Sequence, residues 1–179
     1  MVMNVLTHTL SNGVVLPPIG FGSYRLSGRG AIAKVVADAI SMGYRLIDTA
    51  ACYQNEDGVG DAVRTCGIPR EELLVTSKVW NTDRGYDKTM VAFETSLKLL
   101  GMEYLDLYLI HWPANAVYSQ NWESVNRSTW SALIELYKKQ KVRAIGVSNF
   151  KPKHLEALMT MDVQPMGNQI EIHPGFLQK

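Results

Sequence analysis

Apolar and polar positions follow two rhythms along this chain. Short apolar runs, several closing on a polar residue, occur at "IGFG" (19–22), "RLIDT" (45–49), "LLVTSK" (73–78), "LDLYLIH" (105–111), "AIGVSN" (144–149) and "NQIEI" (168–172). Their length and composition predict strands. Between them lie segments with helical spacing, at about 30–42, 55–65, 86–100, 124–140 and 152–160. In "YDKTMVAFETSLKLLG", Met90, Phe93, Leu97 and Leu100 share one stripe, and Gly101 supplies the stop. Pro152 opens the last helix, where its missing N–H costs nothing. Ahead of these units, "VLTHTL", "SNG" and "VVL" predict a hairpin, with Asn12-Gly13 providing the positive φ of its turn.

The alternation amounts to six βα repeats of roughly thirty residues, and such crossovers give parallel strands with helices outside. An open doubly wound sheet and a (β/α)8 barrel both satisfy that pattern, although six strands are too few to close a barrel. No low-complexity tract or Pro/Ser linker interrupts it, so 1–179 is expected to form a single domain.

In either architecture, chemistry sits at the carboxyl ends of the strands. Asp48 ends the second main strand, Lys78 the third, His111 the fourth, and Ser148 and Asn149 the fifth; Gln169 lies in the sixth and Tyr53 in the loop after the second. Each has a plain reading alone: Asp48 a helix cap, Lys78 a surface lysine, His111 a core histidine, Tyr53 loop packing, Ser148-Asn149 a turn, Gln169 a hydrogen-bonded sheet residue. Together they outweigh those readings, because loops without a task would scatter polar groups over both ends of the sheet.

A free tyrosine has a pKa of ~10 and is a poor proton donor near neutrality. A lysine ammonium beside the phenol is expected to lower that value, with Asp48 holding Lys78 in place and His111 orienting a substrate oxygen. Carbonyl reduction needs such a set, since a proton must reach oxygen while hydride reaches carbon. No side chain donates hydride, so a nicotinamide cofactor is implied, its carboxamide fixed by Ser148, Asn149 and Gln169.

The motifs "GYRLIDTAACYQNEDGVG" (43–60), "VTSKVWN" (75–81), "YLIHWP" (108–113), "VRAIGVSNF" (142–150) and "NQIEIHP" (168–174), in this order, resemble the aldo-keto reductases, from Pro18 nearly to Lys179. The resemblance implies an α/β fold, a (β/α)8 TIM barrel of which this chain holds the N-terminal hairpin and about six of eight βα units. It implies a catalytic tetrad of Asp48, Tyr53, Lys78 and His111 with Tyr53 as general acid, and NADPH (NADP) bound extended across the barrel mouth. In "GFGSYR", Gly22, Ser23 and Tyr24 would border cofactor and substrate. Trp80 and Trp112 would wall the substrate pocket with Tyr24, Tyr53 and His111; core packing is the plain reading of both tryptophans. The motifs are most similar to the diketogluconate reductase and prostaglandin F synthase branch, and the expected activity is NADPH-dependent reduction of aldehydes or ketones. The other readings are a non-catalytic member of the fold (a channel auxiliary subunit or a lens protein) or a fragment inactive on its own. The family continues for two further βα units carrying an adenosine-phosphate motif. This sequence has no counterpart of them and is expected to be part of a longer protein.

Two patterns point elsewhere and are set aside. "GRGAIA" (28–33) matches a dinucleotide fingerprint, but "SYRLS" separates it from the preceding strand, which the fingerprint turn must follow directly. "YKKQK" (137–141) matches a Tyr-x-x-x-Lys pair, but Tyr137 continues the stripe of Trp130, Leu133 and Ile134 and should face the core.

Composition narrows the picture further. With 46% apolar residues, 20% charged and a net charge of +1, the chain shows no basic face for nucleic acid. "KKQKVR" (138–143) reads as the solvated end of a helix. Cys52 and Cys66 have neither metal-ligand spacing nor a disulfide framework, and no signal peptide or run of ~20 apolar residues is present. A cytoplasmic monomer acting on a small carbonyl compound, with no metal and no membrane partner, is the expectation.

Overall fold

Six parallel strands, hydrogen-bonded strictly in chain order, curl into a half-barrel backed by helices. The structure is a computed structural model describing residues 7–114 and 120–178. A hairpin precedes the sheet: β1 (His8–Thr9) pairs antiparallel with β2 (Val15–Leu16), and Gly13 in its turn has φ 88°. Val5 and Leu6 of the predicted first strand lie outside the described residues. The main sheet runs β3 (Gly20–Gly22), β4 (Leu46–Asp48), β5 (Leu74–Val79), β6 (Leu105–Ile110), β7 (Val142–Ser148) and β8 (Asn168–Gln169). The helices are α1 (Arg29–Ser41), α2 (Glu56–Thr65), α3 (Tyr86–Leu100), α4 (Trp122–Lys138) and α5 (Pro152–Met159). An order without reversal is the barrel solution; a doubly wound sheet would reverse direction at a switch point. Among the described residues, no helix is long and apolar enough to cross a membrane.

The elements form for the reasons their sequences state. On α3, Phe93, Leu97 and Leu100 are buried, and Gly101 caps the helix in the left-handed region at φ 64°. Pro152 occupies the first turn of α5. The largest departure in length is β8, which is three residues shorter than predicted, and the start of β7 lies two residues earlier than predicted. Val142 is buried and pairs with Leu105, which extends the ladder of β7 backwards. Ile170 and Ile172 are exposed and unpaired, so the apolar pattern of "NQIEI" does not build a longer strand. Helix α4 is shifted two residues towards the amino end, and Gln140 beyond it takes φ 57°.

Parity along the strands decides which side chains face the inside of the curl. Ile47, Val75, Val79, Tyr108, Ile110, Ile145 and Val147 join the helices in one apolar cluster. Side chains alternate along a strand, so Asp48, Thr76, Lys78, Leu109, Gly146 and Ser148 project from the opposite face. Register carries that face from strand to strand: Gly22 pairs with Asp48, Asp48 with Thr76, Lys78 with Leu109, Leu109 with Gly146, and Ser148 with Gln169. Gly60 on α2 serves packing instead, since a Cβ there would lie 2.2 Å from the Leu100 carbonyl oxygen.

The two patterns set aside on sequence have structural explanations. Gly28 precedes α1 six residues after β3 ends, too far to form a phosphate turn on that strand. Tyr137 packs half-buried against the core.

Candidate active site

The carboxyl ends of the strands bring together the side chains that the sequence placed there one at a time. Lys78, 1% exposed, donates from Nζ to Asp48 Oδ2 at 2.7 Å, to the Thr49 carbonyl at 2.9 Å and to the Tyr53 hydroxyl at 3.5 Å. Tyr53 is carried on a 3-10 turn, Ala51–Tyr53, that follows β4 and is closed by Gln54 in the left-handed region. His111 follows β6 directly, and its ring lies edge-on to Tyr53 (centroids 5.6 Å) and to Trp80 (5.1 Å). A cavity of about 650 Å³ opens over this group, walled by Tyr24, Tyr53, Trp80, His111 and Trp112, with Ser148, Asn149 and Gln169 along its side.

The polar groups along that side are tied to the tetrad. Gln169 Nε2 donates to Asp48 Oδ1 at 3.0 Å, so one carboxylate is held by lysine and by amide. Ser148 Oγ donates to the Gln169 carbonyl at 2.9 Å. Asn149, at φ 61°, donates from Nδ2 to the His111 carbonyl at 3.0 Å and to Ser148 Oγ at 3.0 Å. Trp80 is half-buried and Trp112 is 47% exposed, and both stand at the cavity rather than in the core. Arg84 binds the carbonyls of Trp112 and Pro113 and the side chain of Asn81, joining the loops after β5 and β6.

Two expectations require correction. The Tyr53 phenol is pushed well above the ordinary tyrosine value, chiefly by burial and then by the Asp48 charge, whereas proximity to Lys78 was expected to lower it. The geometry supplies the reason: Lys78 sits closer to Asp48 than to the phenol, so its charge is largely compensated and burial dominates. The second correction concerns Ser23. It is fully buried, its hydroxyl bonds to Asn55 Oδ1 at 3.3 Å, and its backbone N–H donates to the Asp48 carbonyl at 2.9 Å. Neither Ser23 nor Gly22 lines the cavity, whereas Tyr24, 62% exposed, does.

Burial also pushes Lys78 below its ordinary value, with Asp48 opposing the shift. His111 is lowered to about 4, by burial first and the Lys78 charge second, so its ring is neutral at physiological pH.

Several residues escaped the sequence reading. Asn55 stands at the N-cap position of α2 without capping it; instead it accepts from Thr49 and Ser23 and donates to the carbonyls of Ser23 and Leu26. It therefore ties the loop carrying Tyr24 to the turn carrying Tyr53. Glu56, 2% exposed, accepts hydroxyl bonds from Ser77 and Ser96 and joins α2 to β5 and α3. Cys52, immediately before Tyr53, lines the cavity and reaches His111. The polar cluster "YQNE" was the only available signal for Asn55 and Glu56, and it reads equally well as a helix start.

The sequence profile of the aldo/keto reductase family matches residues 18–177. The chain is 51% identical over 172 residues to the 9,11-endoperoxide prostaglandin H2 reductase of Trypanosoma cruzi, covering 96% of this chain and 58% of that protein. It is 49% identical over 174 residues to the glyoxal reductase of Bacillus subtilis, covering 97% and 60%. A solved Bombyx mori aldo-keto reductase in complex with NADP superposes with a TM-score of 0.85 at 31% identity, covering 99% of this chain and 62% of that one. The chain thus spans about 60% of the length of the curated relatives it matches.

Proposed function

The chain belongs to the aldo/keto reductase family, and from that premise we propose that it supplies the catalytic half of an NADPH-dependent reductase of aldehydes or ketones. The observation that carries this reading is the contact of Lys78 Nζ with both Asp48 (2.7 Å) and the Tyr53 hydroxyl (3.5 Å) beneath a cavity of carbonyl-substrate size. The glyoxal reductase of Bacillus subtilis points to small, reactive aldehydes as substrates, and the NADP of the Bombyx mori structure points to the cofactor.

Tyr53 is the general acid. Its raised pKa keeps the hydroxyl protonated across the physiological range, so the proton to be delivered is present when substrate arrives. Proton transfer to the carbonyl oxygen leaves a phenolate, and Lys78 at 3.5 Å is placed to stabilise that charge. Asp48 keeps the ammonium in position. His111 is neutral, so it can donate one ring N–H to the carbonyl oxygen without competing as an acid. Tyr24, Trp80 and Trp112 provide apolar walls that hold the substrate and exclude water.

The residues along the cavity side fit a nicotinamide. Asn149 and Gln169 spend amide N–H groups on the His111 carbonyl and on Asp48, leaving their carbonyl oxygens to accept from a carboxamide. Ser148 adds a hydroxyl beside them. When bound there, the cofactor supplies the hydride that no side chain can supply. The test is NADPH oxidation with glyoxal or a simple aldehyde by the protein and by Tyr53→Phe. Turnover in the parent that the variant loses is the expected result; a variant as active as its parent would overturn the assignment of Tyr53.

A further inference from the structure

We propose that Cys52 is a positioning residue for His111: its S–H donates to Nδ1 and so holds the imidazole proton on Nε2. This proposal rests on the carbonyl-reducing reading above, which requires an N–H of His111 to meet the substrate oxygen. Cys52 Sγ lies 3.5 Å from His111 Nδ1, within range of a sulfur hydrogen bond. Both side chains line the same cavity, and Cys52 shares the 3-10 turn that carries Tyr53. The Tyr53 amide donates to the Ala50 carbonyl at 2.9 Å, which anchors the turn and hence the sulfur.

Packing alone does not select a tautomer. The edge contacts with Tyr53 (78° between planes) and Trp80 (70°) fix the plane of the His111 ring, but carbon-bound ring edges do not distinguish one nitrogen from the other. A neutral imidazole carries one proton, and its location is set by the hydrogen bond at the opposite nitrogen. Sulfur is a weak acceptor, and burial raises the Cys52 thiol above its ordinary pKa, so it remains S–H near neutrality. The arrangement with thiol donating and Nδ1 accepting therefore wins over its reverse. Nε2–H is then the group left to meet a carbonyl oxygen. The opposite tautomer would present a lone pair to that oxygen.

The test is ring 15N NMR of His111 near neutral pH in the parent, Cys52→Val and Cys52→Ser, with aldehyde reduction measured in parallel. In the parent, Nδ1 should resonate as an unprotonated nitrogen and Nε2 as a protonated one. Valine cannot donate, so the Cys52→Val spectrum should shift towards a tautomer mixture. Its kcat should fall about fivefold, the loss of one neutral hydrogen bond, while KM changes less than about twofold. Serine restores a donor and should return both readouts towards the parent. A parent spectrum with the proton on Nδ1 overturns the proposal, as does a Cys52→Val protein with parental tautomer and parental kcat. The NMR arm needs no turnover, so failure of carbonyl reduction and failure of the Cys52 assignment give separate signatures.

Discussion

Each end of the sheet holds an aspartate against cationic side chains, fully buried at one end and half-buried at the other, and the two ends differ in what else is present. At the amino end, Asp106 on β6 is fully buried and accepts from Arg70 at 2.7 Å, Arg143 at 2.9 Å and the backbone N–H of Val75 at 2.9 Å. Both carboxylate oxygens are occupied, and Asp106 so ties β6 to β5 through Val75, to β7 through Arg143 and to the turn before β5 through Arg70. At the carboxyl end, Asp48 is also doubly held, by Lys78 and Gln169. There, however, a tyrosine hydroxyl stands 3.5 Å from the lysine, a neutral histidine lies beside it, and a cavity opens above. A buried charge pair alone does not mark chemistry. A pair with a titratable neighbour and access to a ligand does.

The sharpest way to break this comparison is to exchange losses between the ends. Tyr53→Phe should lower carbonyl reduction by about a thousandfold, the scale of a missing general acid, while moving thermal stability by less than about 1 kcal/mol. Activity retained within about tenfold would remove the chemical distinction between the two ends.

Asp106→Asn should do the reverse. It leaves Arg70 and Arg143 without their charge partner and should cost about 3 kcal/mol in denaturant unfolding, with kcat per folded molecule within about twofold of the parent. A large loss of kcat at parental stability would assign the amino end a part in the reaction.

A third measurement concerns His111 and pH. Its folded pKa of about 4 lies below the ~6.5 of an unfolded histidine. The unfolded chain therefore takes up a proton first as pH falls. Stability from this group is complete above about pH 6.5 and is lost progressively towards about pH 4, amounting to about 3 kcal/mol. His111→Phe should flatten the stability curve across that window relative to the parent; parallel curves would mean the ring is not held neutral.

The smallest expected effect is at Gln169→Ala. Removing one of the two holds on Asp48 and one amide from the cavity side should weaken NADPH binding by about fivefold, measured by fluorescence quenching, with stability changed by less than about 1 kcal/mol. Unchanged binding would assign Gln169 a purely structural link.

Much of this was legible before any coordinates. The two spacings of apolar residues place the helices and strands, and Gly101 and Pro152 mark helix ends where they stand. The polar residues at successive strand ends pointed to one rim, and the structure brings Asp48, Tyr53, Lys78 and His111 together there. Other features were not legible. Ser23 reads as a loop hydroxyl beside the site, yet it is sealed under Asn55. Cys52 carries no sequence signal, because its importance lies in a contact with a residue 59 positions away. Nor could the Tyr53 shift be predicted from a nearby lysine, because its sign depends on how much of that lysine's charge Asp48 has already taken.

The amino-acid order by itself determined the repeating βα pattern, the parallel strands and the residue types at the strand ends, since those follow from local periodicity and from the limited range of crossover connections. Tertiary structure alone decided which oxygen of Asp48 meets which donor. It also decided whether burial or charge governs the phenol. These depend on distances and desolvation between residues remote in the chain, quantities that a one-dimensional pattern does not contain.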